Sequence, residues 1–218
     1  VPGRPAADLY EWISRQPGLR VAGLHAYDGH LHQTNVEERR NACEAAFCEV
    51  DALVDTLGRK GLSVPAIVAG GTPTFPMHAA RKSVECSPGT TVLWDAGYAR
   101  KLPDMEFLPA ATLLSRVISK PGSDRICLDL GHKAVASEMP HPRVWFPRFP
   151  EASFVSHSEE HLVMETAGAK DLAVGDVVHG IPSHVCPTVA LHGVAYVVRR
   201  GLASETWPVT ARARSITI

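Results

Sequence analysis

Hydrophobic and polar positions follow two different periods along this chain, and the period changes near residue 113. Before that point most apolar stripes are helical. Ala6 to Arg15 places Leu9, Trp12 and Ile13 on one face, and Pro17-Gly18 ends the helix. Val36 to Lys60 reads as a long amphipathic helix in which Ala42, Ala45, Ala46, Glu49, Leu53 and Leu57 keep a helical period, with Gly61 at the C-cap. Short apolar runs at Leu19–Tyr27, Val64–Ala69, Val84–Cys86 and Thr91–Trp94 read as strands, separated by turn signals such as Asp28-Gly29 and Gly70-Gly71. The stretch from Gly71 to Lys82 reads as helical or irregular. Strand, helix and strand in series predict a parallel sheet or a (β/α) barrel.

From Leu113 onward strands dominate. Leu114–Ser119, Arg125–Leu130, Val144–Phe146, His161–Glu165, Val177–Gly180, Ser183–Leu191, Ala195–Val198 and Ser215–Ile218 all read as strands, with Pro121-Gly122, Ala167-Gly168 and Arg200-Gly201 as turns. The predicted fold class is α/β plus β. Residues 1–110 are expected to form part of a (β/α)8 barrel, and residues 111–218 a compact all-β domain. Roughly three strands are too few for a barrel of eight and leave an open edge. The chain also opens on Val1-Pro2-Gly3 without an initiator methionine. Both features predict that the barrel is completed by a segment or chain outside this one.

Composition narrows the partners. The chain has 218 residues, 45% hydrophobic and 21% charged, with a net charge of -1. That charge carries no electrostatic footprint for nucleic acid or an anionic membrane. No apolar run approaches the roughly 20 residues needed to span a bilayer. The five cysteines are scattered, which points to a reducing cytoplasm rather than a disulfide framework. Cys43 and Cys48 lie five apart on the long helix and read as core or flank residues.

Candidate chemistry gathers in three places. Ser183-His184-Val185-Cys186-Pro187 reads as a strand, and a strand period of two puts His184 and Cys186 on one face. An imidazole nitrogen beside a thiolate sulfur suits zinc, although two ligands leave the shell open. The same pair also fits a half-buried His and a small apolar Cys. Gly70-Gly71-Thr72 after one strand and Gly89-Thr90 after the next are plausible phosphate cradles, or simply turns. Neither has the P-loop spacing, so a nucleoside triphosphate is disfavoured. His25 and Tyr27 share a face at a strand end, with His30 and His32 just beyond the turn, and they read as pocket lining or as metal ligands. Ser158-Glu159-Glu160-His161 reads as a solvated turn or as a source of a third metal ligand. Asp129 and His132 read as a turn or a pocket wall. Arg212 and Arg214 read as the solvated face of an edge strand.

The blocks Gly-Leu-His-Ala-Tyr-Asp-Gly-His (23–30), Ala-Gly-Gly-Thr-Pro-Thr-Phe (69–75), Glu-Cys-Ser-Pro-Gly-Thr (85–90), Leu-Trp-Asp-Ala-Gly-Tyr (93–98), Leu-Asp-Leu-Gly-His-Lys (128–133), Ser-Glu-Glu-His (158–161) and Pro-Ser-His-Val-Cys-Pro-Thr (182–188) occur in an informative order. Together they resemble the D-threonine aldolase and D-serine dehydratase family, pyridoxal-phosphate enzymes of the alanine-racemase-like fold type. The resemblance covers almost the whole chain and matches the C-terminal part of such enzymes. It implies that Gly70, Gly71, Thr72, Gly89 and Thr90 hold the cofactor phosphate. It also implies that His25 and Tyr27 lie beside the pyridine ring, and that His184 and Cys186 bind zinc or another divalent cation. The implied activity is that of a lyase on β-hydroxy-D-amino acids, by aldol cleavage or by dehydration, commonly in a homodimer. The family's Schiff-base lysine lies on the first barrel strand, and none of the lysines here falls in a matching motif. A truncated homologue without turnover, acting as a binding or assembly module, is the alternative expectation. A metal-dependent hydrolase built on His184 and Cys186 is a weaker one.

Overall fold

The long amphipathic stripe folds as α2, Val36–Arg59, and its ends are set by short-range chemistry. Asn35 caps it, its side-chain oxygen accepting the amides of Glu37 at 2.9 Å and Glu38 at 3.1 Å. Both glutamates sit in the first turn, where the helix dipole favours negative charge. Cys43, Phe47, Val50, Leu53 and Leu57 form its buried stripe. The first helix, α1 at Arg4–Ser14, lays Ala7 and Tyr10 against Leu53 and Leu57, and the Tyr10 hydroxyl donates to the Ser63 carbonyl at 2.6 Å.

Three short strands, β1 at Leu24–Ala26, β2 at Ile67–Ala69 and β3 at Val84–Cys86, form a parallel sheet in the order β1-β2-β3. The register aligns Ala26 with Ala69 and Ala69 with Cys86. The three strands therefore end level, and the loops that follow them emerge side by side. The run expected as a strand from Leu19 is shorter. Gly23 has φ 148, and a Cβ there would collide with the Ala66 carbonyl, so the chain only joins the sheet at Leu24. A single turn of helix, α3 at Phe75–His78, follows the Gly70-Gly71 loop.

This computed structural model describes residues 1–213 and 215. They divide into two compact units at Thr91/Val92, so the boundary expected at 110/111 falls inside the second unit. That unit opens with α4, Ala96–Lys101, where a strand at Thr91–Trp94 was expected. Instead, Thr90–Val92 is a 3-10 turn and Trp94 takes φ 52. The apolar signal of Trp94 comes from burial against the rings of Tyr98 and Phe107, at 5.6 and 5.1 Å, rather than from a sheet.

Six strands then build an antiparallel sheet: β4 Leu113–Ser119, β5 Arg125–Leu128, β6 Val144–Trp145, β7 Ser153–His157, β8 Leu162–Glu165 and β9 Val177–Pro182. Their order is β6-β9-β4-β5-β8-β7. Val117, Ile126, Leu128, Phe146, Leu162, Met164 and Val178 belong to one contiguous core. The sheet is followed by α5, Val185–Ala190, and by a hairpin of β10, Val194–Arg199, and β11, Leu202–Pro208.

The all-β expectation for residues 111–218 is thus corrected by a short helix, α5, which replaces most of the strand expected at Ser183–Leu191. Pro187 lies in its first turn, where a missing N–H costs nothing, whereas in a strand it would interrupt the ladder. Thr210–Ala213 is a 3-10 turn, so Arg212 is not on an edge strand. Arg214, and the end of the strand expected at Ser215–Ile218, lie outside the described residues. Among the described residues, no helix is long and apolar enough to cross a membrane, and the cysteines form no disulfide.

Candidate cofactor and metal sites

The loops after β2 and β3 are fastened together by two bonds. Ser87 N–H donates to the Gly70 carbonyl, and the Thr90 amide donates to the Thr72 hydroxyl, both at 3.2 Å. Gly70 has φ 84, and a Cβ on it would press on His78 and the Phe75 backbone. A Cβ on Gly71 would come within 3.0 Å of the Tyr27 ring. Thr72 and Thr90 are buried and Gly89 is exposed. The five residues expected to hold phosphate therefore occupy two adjoining loops at the carboxyl ends of parallel strands. Such ends are where α/β folds collect their ligands.

His25 sits at the centre of β1 and Tyr27 just past its end. Both are exposed, Tyr27 at 70%, and both line a cleft of about 570 Å³ in the first unit. The same cleft is lined by Asp28, Cys43 and His78. These three were not singled out together from the sequence, because they lie on a turn, on α2 and on α3. Asp28 accepts the Gly71 amide at 3.1 Å through Oδ1 and faces His78 Nε2 at 2.9 Å through Oδ2. Cys43 Sγ is 3.2 Å from the same nitrogen. Burial pushes the Asp28 carboxyl up, but the bonds from His78, Thr74 and Gly71 outweigh it and leave it lowered. Burial likewise pushes His78 down, and Asp28 and Cys43 more than reverse this, taking it up to about 9.

The His184–Cys186 pair does not lie on one strand face. His184 is the N-cap of α5, in extended backbone, and Cys186 is in its first turn. The strand argument for their pairing is therefore replaced by a helix-entry geometry. Asp95 fixes it: Oδ1 caps the Tyr98 amide of α4 at 2.8 Å, and Oδ2 takes the Val185 amide of α5 at 3.0 Å. Gly97 lets α4 approach closely, since a Cβ there would collide with the Ser183 carbonyl. Glu138 Oε1 lies 2.5 Å from His184 Nδ1. A carboxylate on Nδ1 fixes the tautomer and leaves Nε2 as the donor nitrogen, as in metal-bound histidines. The chemistry of the donor set thus fits a divalent ion. Neither residue belongs to a group of three closely spaced ligands among the described residues.

The other expected candidates resolve simply. Ser158 N–H donates to the His161 carbonyl at 2.8 Å, and Glu160 pairs with Lys133, so this segment is a solvated turn. Asp129 accepts the Arg116 amide at 2.6 Å. His132 Nε2–H donates to the His157 carbonyl at 2.7 Å.

Known proteins give this fold and these loops a context. Residues 110–198 match a family model described as "Putative serine dehydratase domain". The crystal structure of D-threonine aldolase from Filomicrobium marinum superposes with a TM-score of 0.89 at 29% identity, over 97% of this chain and 58% of that one. The chain is 32% identical over 201 residues to D-threonine aldolase of Arthrobacter sp., covering 90% of this chain and 52% of the relative. It is 28% identical over 209 residues to 3-hydroxy-D-aspartate aldolase of Paracoccus denitrificans (strain Pd 1222), covering 91% and 53%. The fold is that of a D-threonine aldolase over nearly all of this chain. The chain belongs to the D-threonine aldolase and D-serine dehydratase-like family, and it spans about half the length of these two curated relatives.

Proposed function

We propose that this chain carries phosphate-holding and metal-holding parts of a pyridoxal-phosphate-dependent lyase acting on β-hydroxy-D-amino acids. The observation that carries the reading is the Thr90-to-Thr72 bond, which joins two glycine-bearing loops at the ends of adjacent parallel strands. In this reading the first unit belongs to a (β/α)8 barrel. The cofactor lysine comes from outside this chain, and the working enzyme is a cytoplasmic homodimer. When bound, pyridoxal phosphate supplies an electron sink for charge at the substrate Cα, and a divalent metal such as zinc supplies a Lewis acid for its β-hydroxyl.

The chain's own residues bind and orient. Gly70, Gly71 and Thr72, with Gly89 and Thr90, would hold the phosphate, and His25 and Tyr27 would flank the ring. Asp28 occupies the Gly71 amide, so Gly71 would serve the cradle through its lack of a side chain rather than as a donor, and the imidazolium of His78 offsets the Asp28 charge beside it. His184 and Cys186 would hold the metal, with Glu138 fixing which nitrogen of His184 is offered.

Titrating the purified chain with pyridoxal phosphate tests the cradle. Thr72→Ala with Thr90→Ala should weaken binding by more than about tenfold, since each removes a hydroxyl partner from a buried anion site. Equal binding by the double variant would sink the assignment. For the protein containing this chain, the expected products are glycine and acetaldehyde from D-threonine, or pyruvate and ammonia from D-serine. Neither pair appearing would overturn the reaction class.

A further inference from the structure

We propose that Asp28, Cys43 and His78 form a divalent-cation site of zinc type beneath the Gly70-Gly71 loop. The site uses none of the residues discussed for the reaction's metal and stands independently of the proposed activity. A carboxylate oxygen, a sulfur and an imidazole nitrogen lie within 4.8 Å of one another, on residues drawn from the turn after β1, from α2 and from α3. Nitrogen, sulfur and oxygen together are a zinc donor set, and a thiolate selects against magnesium and calcium. Cys43 is 1% exposed and His78 2% exposed, so water is kept off two of the three ligands.

The hydrogen bonding of the cluster also calls for a cation. A single nitrogen, His78 Nε2, faces both Asp28 Oδ2 at 2.9 Å and Cys43 Sγ at 3.2 Å, and it has at most one hydrogen to share. Replacing that hydrogen by a divalent ion satisfies all three groups and balances one carboxylate and one thiolate. The exchange leaves the Nδ1 side of His78, which has no partner among the described residues, as it was in the imidazolium.

Tetrahedral zinc sets nitrogen and oxygen about 3.3 Å apart and nitrogen and sulfur about 3.6 Å apart, given its usual bond lengths. The two separations from His78 Nε2 need open by only a few tenths of an ångström, which a turn carboxylate and a Cys rotamer can absorb. All three residues line the 570 Å³ cleft, which gives the ion an entry path and a water for its fourth position. Because the other oxygen of Asp28 holds the Gly71 amide, an ion here would pin the glycine loop to α2 and α3.

The test uses the chain carrying His184→Ala and Cys186→Ser, stripped with a chelator and reloaded with cobalt(II) and then zinc(II). The expected result is one tightly bound cobalt per chain with a thiolate-to-cobalt charge-transfer band, displaced by zinc. The band should vanish with Cys43→Ser and survive Cys48→Ser. Should Cys43→Ser fail to fold, Asp28→Asn leaves the thiol in place and should weaken cobalt binding by more than about tenfold. No charge-transfer band while Cys43 is intact, or binding indifferent to Asp28→Asn, overturns the site and leaves a hydrogen-bonded pin. Loss of pyridoxal-phosphate binding in other variants would not bear on this result.

Discussion

Two histidines, a buried one in the first unit and a half-buried one in the second, meet the same kind of penalty and resolve it in opposite directions. Burial disfavours the charged ring at both His78 and His157. In the first unit, the Asp28 carboxylate and Cys43 reverse the penalty, and His78 rises to about 9. In the second, burial is joined by His132, Arg143 and His141, and His157 falls to about 4. The neutral His157 is fully used: Nε2–H donates to the Leu130 carbonyl at 3.0 Å, and Nδ1 accepts from Arg143 at 3.1 Å. Its ring stacks on His132 at 4.7 Å. His78 keeps one nitrogen without a partner among the described residues. A histidine with both nitrogens satisfied is a structural pin. One left partly unsatisfied among a carboxylate and a thiol is where a ligand would find a place.

The cores differ in the same sense. The second unit rests on one continuous cluster, whereas the first has three small ones. The largest expected effect follows. Phe146→Ala empties a position 1% exposed, packed with Phe154 and Val144, and should cost the second unit about 3–5 kcal/mol in denaturant unfolding. A loss under about 1 kcal/mol would mean that this core is not what holds the His157 region.

The matching change in the first unit is Asp28→Asn. It removes the charge that sustains the imidazolium and replaces an acceptor of the Gly71 amide by an amide. A loss of about 1–3 kcal/mol is expected. His78 should fall well below about 9, since Cys43 alone is then left to oppose burial. A His78 titration left unchanged in the variant, followed by NMR, would show that the carboxylate is not its controlling partner.

The wild-type titrations sharpen the contrast, because the signs are opposite. His78 has a raised folded pKa, so in the metal-free chain its contribution is complete below about 6.5 and is lost as the pH rises through about 9. His157 has a depressed one, so its contribution is complete above about 6.5 and is lost as the pH falls through about 4. Ring-proton shifts should show two transitions on opposite sides of neutrality. Two transitions near 6.5 would erase the distinction between the regions.

Much of this was legible beforehand where the causes are local. The helix α2 declares itself by its apolar stripe and by Gly61 at its end. The strand end before Gly70 is marked by a glycine whose freedom the backbone uses, at φ 84. What escaped depends on distant partners. Val185–Ala190 is rich in β-branched residues and reads as a strand, yet it is a helix whose first amide is capped by Asp95, 90 residues earlier. β7 is exposed at alternate and adjacent positions alike, so it shows no clean period of two. Asp28, Cys43 and His78 meet only when the turn after β1, α2 and α3 are packed, and no spacing rule joins them. The expected His-x-Cys proximity used a strand period where the chain was turning into a helix.

The smallest effect calibrates the rest. In the hairpin of the second unit, Arg199 and Glu205 pair at 2.9 Å with both side chains largely in water. Solvent screens such a pair, and ordering two long side chains offsets what attraction remains. Glu205→Gln should therefore change unfolding stability by no more than about 0.5 kcal/mol. The Asp28–His78 pair has almost the same separation, 2.9 Å, but its histidine is 2% exposed. If the two substitutions cost the same, burial adds nothing to the Asp28–His78 pair, and the asymmetry drawn between the two histidine regions rests on geometry alone. A several-fold larger loss for Asp28→Asn, read in the same denaturant series, is the expected result. It would place the difference in the surroundings of the pair rather than in its length.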